Sequence, residues 1–275
     1  MLKPLSCNVA KVLNIIEYHK YFWIFFALWI VFRTFAEKED NKMTPKLIHL
    51  CWFSNDPYPV EIKVCLDTWK RLMPDYVVKI WDYAAAKSIG CAFIDEALEA
   101  RKWAFAADVV RFYAVYKEGG IYMDSDIYLH RRFDEILPED GFATFNEKDK
   151  EEFGLQAAFF MGTAGNAFCQ KMFEYYQNRH FKNPDGSFND TISPYTMSAV
   201  AKSFGWQMKD EKQVMPGLTV YPTHLVAPNN HYPVDSETIG VHRVAGSWRK
   251  RKLGRFIEIK VKHLWHVVRY ALFKK

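Results

Sequence analysis

Apolar and polar positions alternate along the chain in blocks that predict an α/β fold. Apolar stretches at 46–53 and 76–82 have the length of strands, and residues 58–73 between them have helical spacing. Residues 103–120 then form a long, mainly apolar run that predicts a buried helix. We expect the two glycines at the end of this run to terminate the helix. The first half of the chain therefore alternates between strands and helices.

The same alternation continues in the second half. We predict strands near 141–147 and 157–161, and helices at 166–178 and 194–204, after a polar helical region at 83–102. Short links between such elements are typical of a mainly parallel sheet with helices on both faces. Ligands of such sheets bind at the carboxyl ends of the strands, so candidate chemistry is sought there.

Length and composition allow one large α/β domain or two small ones, in a reducing compartment. Hydrophobic residues make up 49% of the 275 residues, which is enough for a substantial core. The five cysteines are scattered, without a C-x-x-C pair, and are expected to be buried free thiols rather than a disulfide framework or a zinc site. We divide the chain into an extension (1–44), a catalytic domain (45–248) and a tail (249–275).

The extension contains an apolar run at 21–32. This run is shorter than the roughly 20 residues that span a bilayer, and no small-residue cleavage site follows it. An interfacial or re-entrant anchor fits this pattern better than a transmembrane helix. The alternative is an upstream segment with no part in folding.

The tail is strongly basic, although the net charge of the whole chain is only +5. It carries ten of the 37 lysines and arginines and one of the 32 acidic residues. Its apolar residues follow one helical face, which is typical of a helix on an anionic membrane surface. We expect the membrane, and no nucleic acid, as its partner; the alternative is a helix docked on its own domain.

The stretch "GGIYMDSDIY" (119–128) places two acids at the end of a buried strand. In an extended chain Asp124 and Asp126 point to the same face, where they repel each other unless a positive charge lies between them. Carboxylate oxygens suit Mg²⁺ or Mn²⁺, which commonly neutralise phosphate leaving groups. The sequence therefore predicts a divalent metal site, with a chance surface pair as the alternative.

Two other uses of a D-x-D motif fit less well. An EF-hand loop requires glycine at its sixth position, where this chain has Leu129. A phosphohydrolase of the haloacid-dehalogenase type would need threonine or valine at Tyr128, and its later acidic motif is missing from the sequence. The phosphohydrolase stays as the alternative enzyme.

Between Trp103 and Tyr116, every residue is apolar or tyrosine except Asp108 and Arg111. Three positions apart, they share one face. Buried charges must be paired or engaged by a ligand, because a lone one is costly. The spacing alone leaves a self-satisfied ion pair and a ligand site equally open.

Three segments together resemble glycosyltransferase family 32, the DXD sugar-binding group. They are "PKLIHLCWF" (45–53), "AFAADVVRFYAVYKEGGIYMDSDIYL" (104–129) and "VHRVAGSW" (241–248). The resemblance extends from about Pro45 to Trp248. It implies a GT-A type, Rossmann-like nucleotide-sugar-binding domain and transfer with retention of the anomeric configuration.

The resemblance also implies roles for particular residues. Trp52 would stack on the base, Tyr122 would line the base and ribose pocket or pack in the sheet, and Asp108 and Arg111 would bind the donor sugar. Donor-binding, metal-binding and catalytic roles fall on nine residues in all: Trp52, Asp108, Arg111, Tyr122, Asp124, Asp126, His242, Ser247 and Trp248.

Within that set, Asp126, His242 and Asp124 would hold the metal, and Asp124 would also contact the donor. Ser247 and Trp248 would hold the diphosphate. Arg111 would act with Asp124 and Asp126 in catalysis. The family often has a second histidine and a tryptophan where this chain has Arg243 and Val244, so the full ligand set is open.

The resemblance implies a Mn²⁺- or Mg²⁺-dependent hexosyltransferase that uses a UDP- or GDP-sugar. Its acceptor would be a glycan or a lipid-linked saccharide, in capsule or other surface polysaccharide or glycolipid synthesis. With the basic tail, we expect a peripheral protein at the cytoplasmic face of the membrane, or an anchored one if the extension spans. A catalytically inactive, membrane-associated sugar-binding protein is the non-enzymatic alternative.

Overall fold

The computed structural model describes residue 26 and residues 43–149, 152–229 and 232–243. The chain divides into the units Met1–Met43 and Thr44–Lys275, and every element described below belongs to the second. Most of the predicted extension and the whole basic tail lie outside the described residues. None of the helices within the described ranges is long and apolar enough to cross a membrane.

Six helices and eleven strands make up the described fold. The helices are α1 (Val60–Leu72), α2 (Tyr83–Lys87), α3 (Ala92–Glu99), α4 (Trp103–Glu118), α5 (Ala167–Gln177) and α6 (Ser193–Lys202). The strands are β1 (Leu47–Cys51), β2 (Val77–Trp81), β3 (Gly120–Met123), β4 (Ile127–Leu129), β5 (Phe142–Asp149), β6 (Glu152–Leu155), β7 (Phe159–Gly162), β8 (Gln213–Met215), β9 (Leu218–Tyr221), β10 (Val226–Ala227) and β11 (Gly240–His242).

The main sheet has the order β2–β1–β3–β7–β5–β9–β8, with β6 paired to β5 outside this path. The α/β class predicted from the sequence is confirmed, but the strand directions are more mixed than expected. Strands β2, β1 and β3 are parallel, whereas β7 runs antiparallel to both β3 and β5. Strands β6 and β7 follow β5 in the sequence and both pair antiparallel with it, as short connections allow, whereas parallel strands need a long crossover.

A second, three-stranded sheet has the order β10–β11–β4. Strand β11 pairs antiparallel with β4, so that His242 lies opposite Ile127. This pairing brings the last described strand next to the turn that carries the two acids.

Helix α4 lies at the centre of the core, as its apolar sequence predicts. Val109, Val110 and Phe112 are fully buried in it. The helix ends at Gly119, whose φ of 66° suits a residue without a side chain. Gly120, at φ 101°, begins β3 so close to β1 that a Cβ there would lie 2.4 Å from the Leu47 carbonyl oxygen.

The strands and helices predicted from the sequence match those of the structure within a few residues, but several short strands were missed. The polar region at 83–102 divides into α2 and α3. Strands β6 and β8 to β11 were not predicted, because strands of two to four residues are too short to show an alternating pattern. Four cysteines within the described residues are free, namely Cys51, Cys65, Cys91 and Cys169.

Candidate active site

The D-x-D motif forms a turn between two strands. Strand β3 ends at Met123, and the Asp124 amide donates to the Ala158 carbonyl at 2.8 Å. The Ile127 amide then donates back to the Asp124 carbonyl at 3.0 Å, and β4 begins there. The prediction that both acids belong to one extended strand is wrong, since aspartate and serine favour such a turn.

Asp124, Asp126 and His242 nevertheless converge. Each offers one ligand atom, and these atoms all lie within 4.8 Å of one another. His242 Nε2 is 3.4 Å from Asp126 Oδ1, and the Arg243 amide donates to the Asp126 carbonyl at 3.0 Å. The backbone of the last described strand therefore holds the imidazole against the turn.

These three residues fit a divalent cation. Two carboxylates and one imidazole suit Mn²⁺ or Mg²⁺, and the buried Nδ1 of His242 has no hydrogen-bond partner in the described part of the chain. Burial lowers the pKa of His242, but the neighbouring Asp126 and Asp124 outweigh this effect and raise the pKa to about 9. The pocket thus attracts positive charge.

Arg111 connects Asp108 to the D-x-D turn. Its Nη2 lies 3.0 Å from Asp108 Oδ1 and 3.6 Å from Asp124 Oδ1, and its Nη1 donates to the Ala157 carbonyl at 2.7 Å. The pair is buried, and burial raises the pKa of Asp108 although Arg111 opposes this effect. Of the two readings left open by the spacing, the structure shows an ion pair that is also part of the carboxylate cluster.

Tyr122 supports this cluster from the sheet. Its hydroxyl donates to Asp124 Oδ1 at 2.6 Å, and its ring lies 4.8 Å from the Arg111 guanidinium carbon. The side chain is only 1% exposed and stacks on Phe160. Tyr122 therefore contributes to sheet packing and reaches the candidate site through its hydroxyl.

Trp52 lies just beyond the carboxyl end of β1. Because β1 and β3 are parallel, this position and the D-x-D turn lie at the same edge of the sheet. The half-buried indole donates a hydrogen bond to the Asp56 carbonyl at 3.0 Å. Its ring centroid lies 4.7 Å from that of Tyr58. A base-stacking role for Trp52 stays a prediction, and Ser247 and Trp248 lie outside the described residues.

Sequence reasoning missed the second partner of Asp108. Ser193, the first residue of α6, donates from its hydroxyl to Asp108 Oδ1 at 2.7 Å and from its amide to Oδ2 at 3.3 Å. The Ser-Pro pair at 193–194 indicates a helix start, but no local pattern shows which distant acid it meets.

Part of the chain is similar to known glycosyltransferases. Residues 59–143 match the family described as "Glycosyltransferase sugar-binding region containing DXD motif". The inositol phosphoceramide mannosyltransferase 3 of Schizosaccharomyces pombe (strain 972 / ATCC 24843) is 32% identical over 100 residues, which cover 34% of this chain and 27% of that protein. The match thus spans about a quarter of the relative's length.

Solved structures of similar arrangement include two further transferases. The PaToxG glycosyltransferase is 18% identical to this chain, with a TM-score of 0.46. The alignment covers 65% of this chain and 79% of that protein's chain. The galactosyltransferase LgtC, solved with donor and acceptor sugar analogs, is 11% identical, with a TM-score of 0.40. The alignment covers 77% of this chain and 94% of that protein's chain.

The matched region contains both members of the Asp108–Arg111 pair and both acids of the D-x-D turn. The described residues form an α/β fold, as the sequence predicted, and its GT-A type stays a prediction. Through residues 59–143 the chain is similar to the glycosyltransferases with a DXD sugar-binding region.

Proposed function

We propose that the protein is a metal-dependent, retaining hexosyltransferase that uses a UDP- or GDP-sugar donor. The observation that carries this proposal is the convergence of two charged groups of residues. Asp124, Asp126 and His242 form one, the Asp108–Arg111 pair forms the other, and Arg111 joins them 3.6 Å from Asp124.

Each group suits one part of a nucleotide sugar. Cleavage of the sugar–phosphate bond leaves negative charge on the diphosphate, which a bound Mn²⁺ or Mg²⁺ neutralises. Asp124, Asp126 and His242 would hold that ion, while Tyr122 and Arg111 fix the orientation of Asp124. Asp108 and Arg111 would bind hydroxyls of the hexose.

Retention requires either a covalent glycosyl-enzyme or attack from the face of the leaving group. Asp108 is the carboxylate of the cluster outside the proposed metal-binding trio, and Arg111 and Ser193 already engage its Oδ1. Such donors reduce its strength as a nucleophile, so we favour front-face attack. Detection of a glycosyl-enzyme adduct by mass spectrometry would overturn this choice.

The relative's name suggests which donor and acceptor to test first. Because that protein is called an inositol phosphoceramide mannosyltransferase, we propose mannose as the first hexose and a lipid-linked acceptor. The basic tail, at 249–275, would bring the enzyme to an anionic membrane surface at the cytoplasmic side. Loss of vesicle binding after removal of 249–275 would support this location, and unchanged binding would contradict it.

A donor panel tests the activity itself. Purified protein is incubated with GDP-mannose, UDP-galactose, UDP-glucose or UDP-N-acetylglucosamine, with Mn²⁺ or EDTA, and released nucleotide is measured. We expect metal-dependent release from one donor, lost in Asp126→Ala and kept in the exposed control Asp140→Ala. If no donor is hydrolysed and calorimetry detects no donor binding, the proposed function is wrong and a binding protein for other saccharides is favoured.

A further inference from the structure

Ser193 is fully buried beside the proposed sugar-binding carboxylate, although the two residues lie far apart in the chain. Its hydroxyl donates to Asp108 Oδ1 at 2.7 Å, and its amide donates to Oδ2 at 3.3 Å. One serine thus contacts both oxygens of the carboxylate, which limits rotation about the last bond of the side chain.

The two oxygens of Asp108 are not used equally. Oδ1 accepts the short hydrogen bond from Ser193 and lies 3.0 Å from Arg111 Nη2. Oδ2 accepts the longer bond from the Ser193 amide. Because an ionised carboxylate oxygen has two lone pairs, Oδ2 keeps the greater capacity for a further donor.

The position of Ser193 is set by more than its contact with Asp108. In the segment before α6, Phe181 is fully buried and its ring stacks on Phe188 at 4.9 Å. The Lys182 amide donates to a Glu96 carboxylate oxygen on α3 at 2.9 Å, and the Asn189 amide donates to the Phe181 carbonyl at 2.8 Å. This segment leads directly to the start of α6, which is therefore held by α3 and by the core.

We propose that Ser193 is a positioning residue for the donor sugar. By occupying Asp108 Oδ1 and restraining the carboxylate, it directs Oδ2 towards a hydroxyl of the hexose. This role rests on the proposed function and extends it to a residue outside the matched DXD region. It also makes a specific prediction: Ser193 contributes to the binding of the sugar part of the donor and not to the binding of the nucleoside diphosphate.

Calorimetry with two ligands tests this prediction. The hydroxyl is removed in Ser193→Ala and kept in Ser193→Thr. Ser198→Ala is the matched control, because Ser198 lies in the same helix and its hydroxyl bonds within the helix to the Pro194 carbonyl. Each protein is titrated, with Mn²⁺ present, with the sugar nucleotide that the wild type binds and with the corresponding nucleoside diphosphate.

We expect Ser193→Ala to bind the sugar nucleotide roughly tenfold more weakly, with diphosphate binding unchanged, since it loses one hydrogen bond to a charged group. Ser193→Thr should restore most of the affinity. If threonine proves too large for this buried position, Ser193→Cys keeps the volume with a weaker donor and should fall between serine and alanine.

Three results would overturn the inference in distinguishable ways. Unchanged sugar-nucleotide binding in Ser193→Ala contradicts the role of Ser193 alone. An equal loss for the sugar nucleotide and the diphosphate, shared by all Ser193 variants, shows a purely structural role. Failure of the wild type to bind any sugar nucleotide contradicts the proposed function, and the role of Ser193 falls with it.

Discussion

Tyr122 donates a hydrogen bond of 2.6 Å to Oδ1 of Asp124, two residues further along the chain. The strand that ends in the D-x-D turn therefore also orients the first acid of that turn. Because Asp124 is more exposed than Tyr122, the buried ring fixes the more accessible group.

Replacement of Tyr122 by phenylalanine tests this relationship. Tyr122→Phe removes the hydroxyl but keeps the ring that packs on Phe160, so we expect the free energy of unfolding to change by only about 1 kcal/mol. Mn²⁺ affinity, measured by electron paramagnetic resonance, should fall about threefold to tenfold. Tyr113→Phe in α4 is the control, and an equal loss of Mn²⁺ affinity there would contradict the role of Tyr122.

The metal site makes a second prediction. Asp126→Asn keeps the shape of the side chain but removes one negative charge from the three proposed ligands. We expect Mn²⁺ affinity to fall at least tenfold, as is common when a ligand is altered, and donor hydrolysis to fall with it. His242→Ala should weaken Mn²⁺ binding as well. Normal Mn²⁺ affinity in both variants would place the ion elsewhere.

Asp134 predicts how stability depends on pH. The Arg132 guanidinium makes two hydrogen bonds to this carboxylate, at 2.8 and 3.0 Å, and lowers the pKa of Asp134. A carboxyl group with a lower pKa in the folded state stabilises the fold above its unfolded pKa, near 4, and this contribution is lost as the pH falls through the folded pKa.

Asp134→Asn should therefore lower the melting temperature at pH 7 and flatten its decline below about pH 4. Thermal melts of the wild type and the variant between pH 7 and pH 3 measure this. The exposed Asp140 offers the matched control, Asp140→Asn. Parallel melting curves for Asp134→Asn and the wild type over the whole range would show that this ion pair does not contribute.

Gly120 predicts a large effect of a single methyl group. In Gly120→Ala the added Cβ would lie 2.4 Å from the Leu47 carbonyl oxygen, at a φ of 101° that side chains disfavour. We expect the pairing of β3 with β1 to be disturbed and the free energy of unfolding to fall by about 3 kcal/mol or more. Urea denaturation measures the change.

Gly186→Ala is the matched control for Gly120→Ala. Gly186 has a φ of 83°, but a Cβ there would meet nothing within 4 Å, so only backbone strain of about 1 kcal/mol is expected. Equal losses in the two variants would show that the close approach to Leu47 is not the cause.

The alternation of apolar blocks was enough to predict the α/β class and helix α4, and the positions of four charged residues in apolar segments were enough to single out Asp108, Arg111, Asp124 and Asp126, whose roles stay predictions. These features depend on local pattern and on the rule that buried charges need partners. The mixed strand directions were not predicted, because they depend on how β7 pairs with its neighbours. The D-x-D turn was not predicted, because apolar residues on both sides of it made the segment look like one continuous strand. The contact of Ser193 with Asp108 joins distant segments, and no periodicity in the sequence encodes it.

The antiparallel pairing of β11 with β4 has a consequence for synthesis of the chain. Asp124 and Asp126 leave the ribosome long before His242, and the Arg243 amide that bonds to Asp126 follows immediately after it. A nascent or prematurely ended chain therefore has the two acids but not the third proposed ligand. We therefore expect tight binding of the proposed cation only once residue 243 has left the ribosome, so that the cation would bind late in folding.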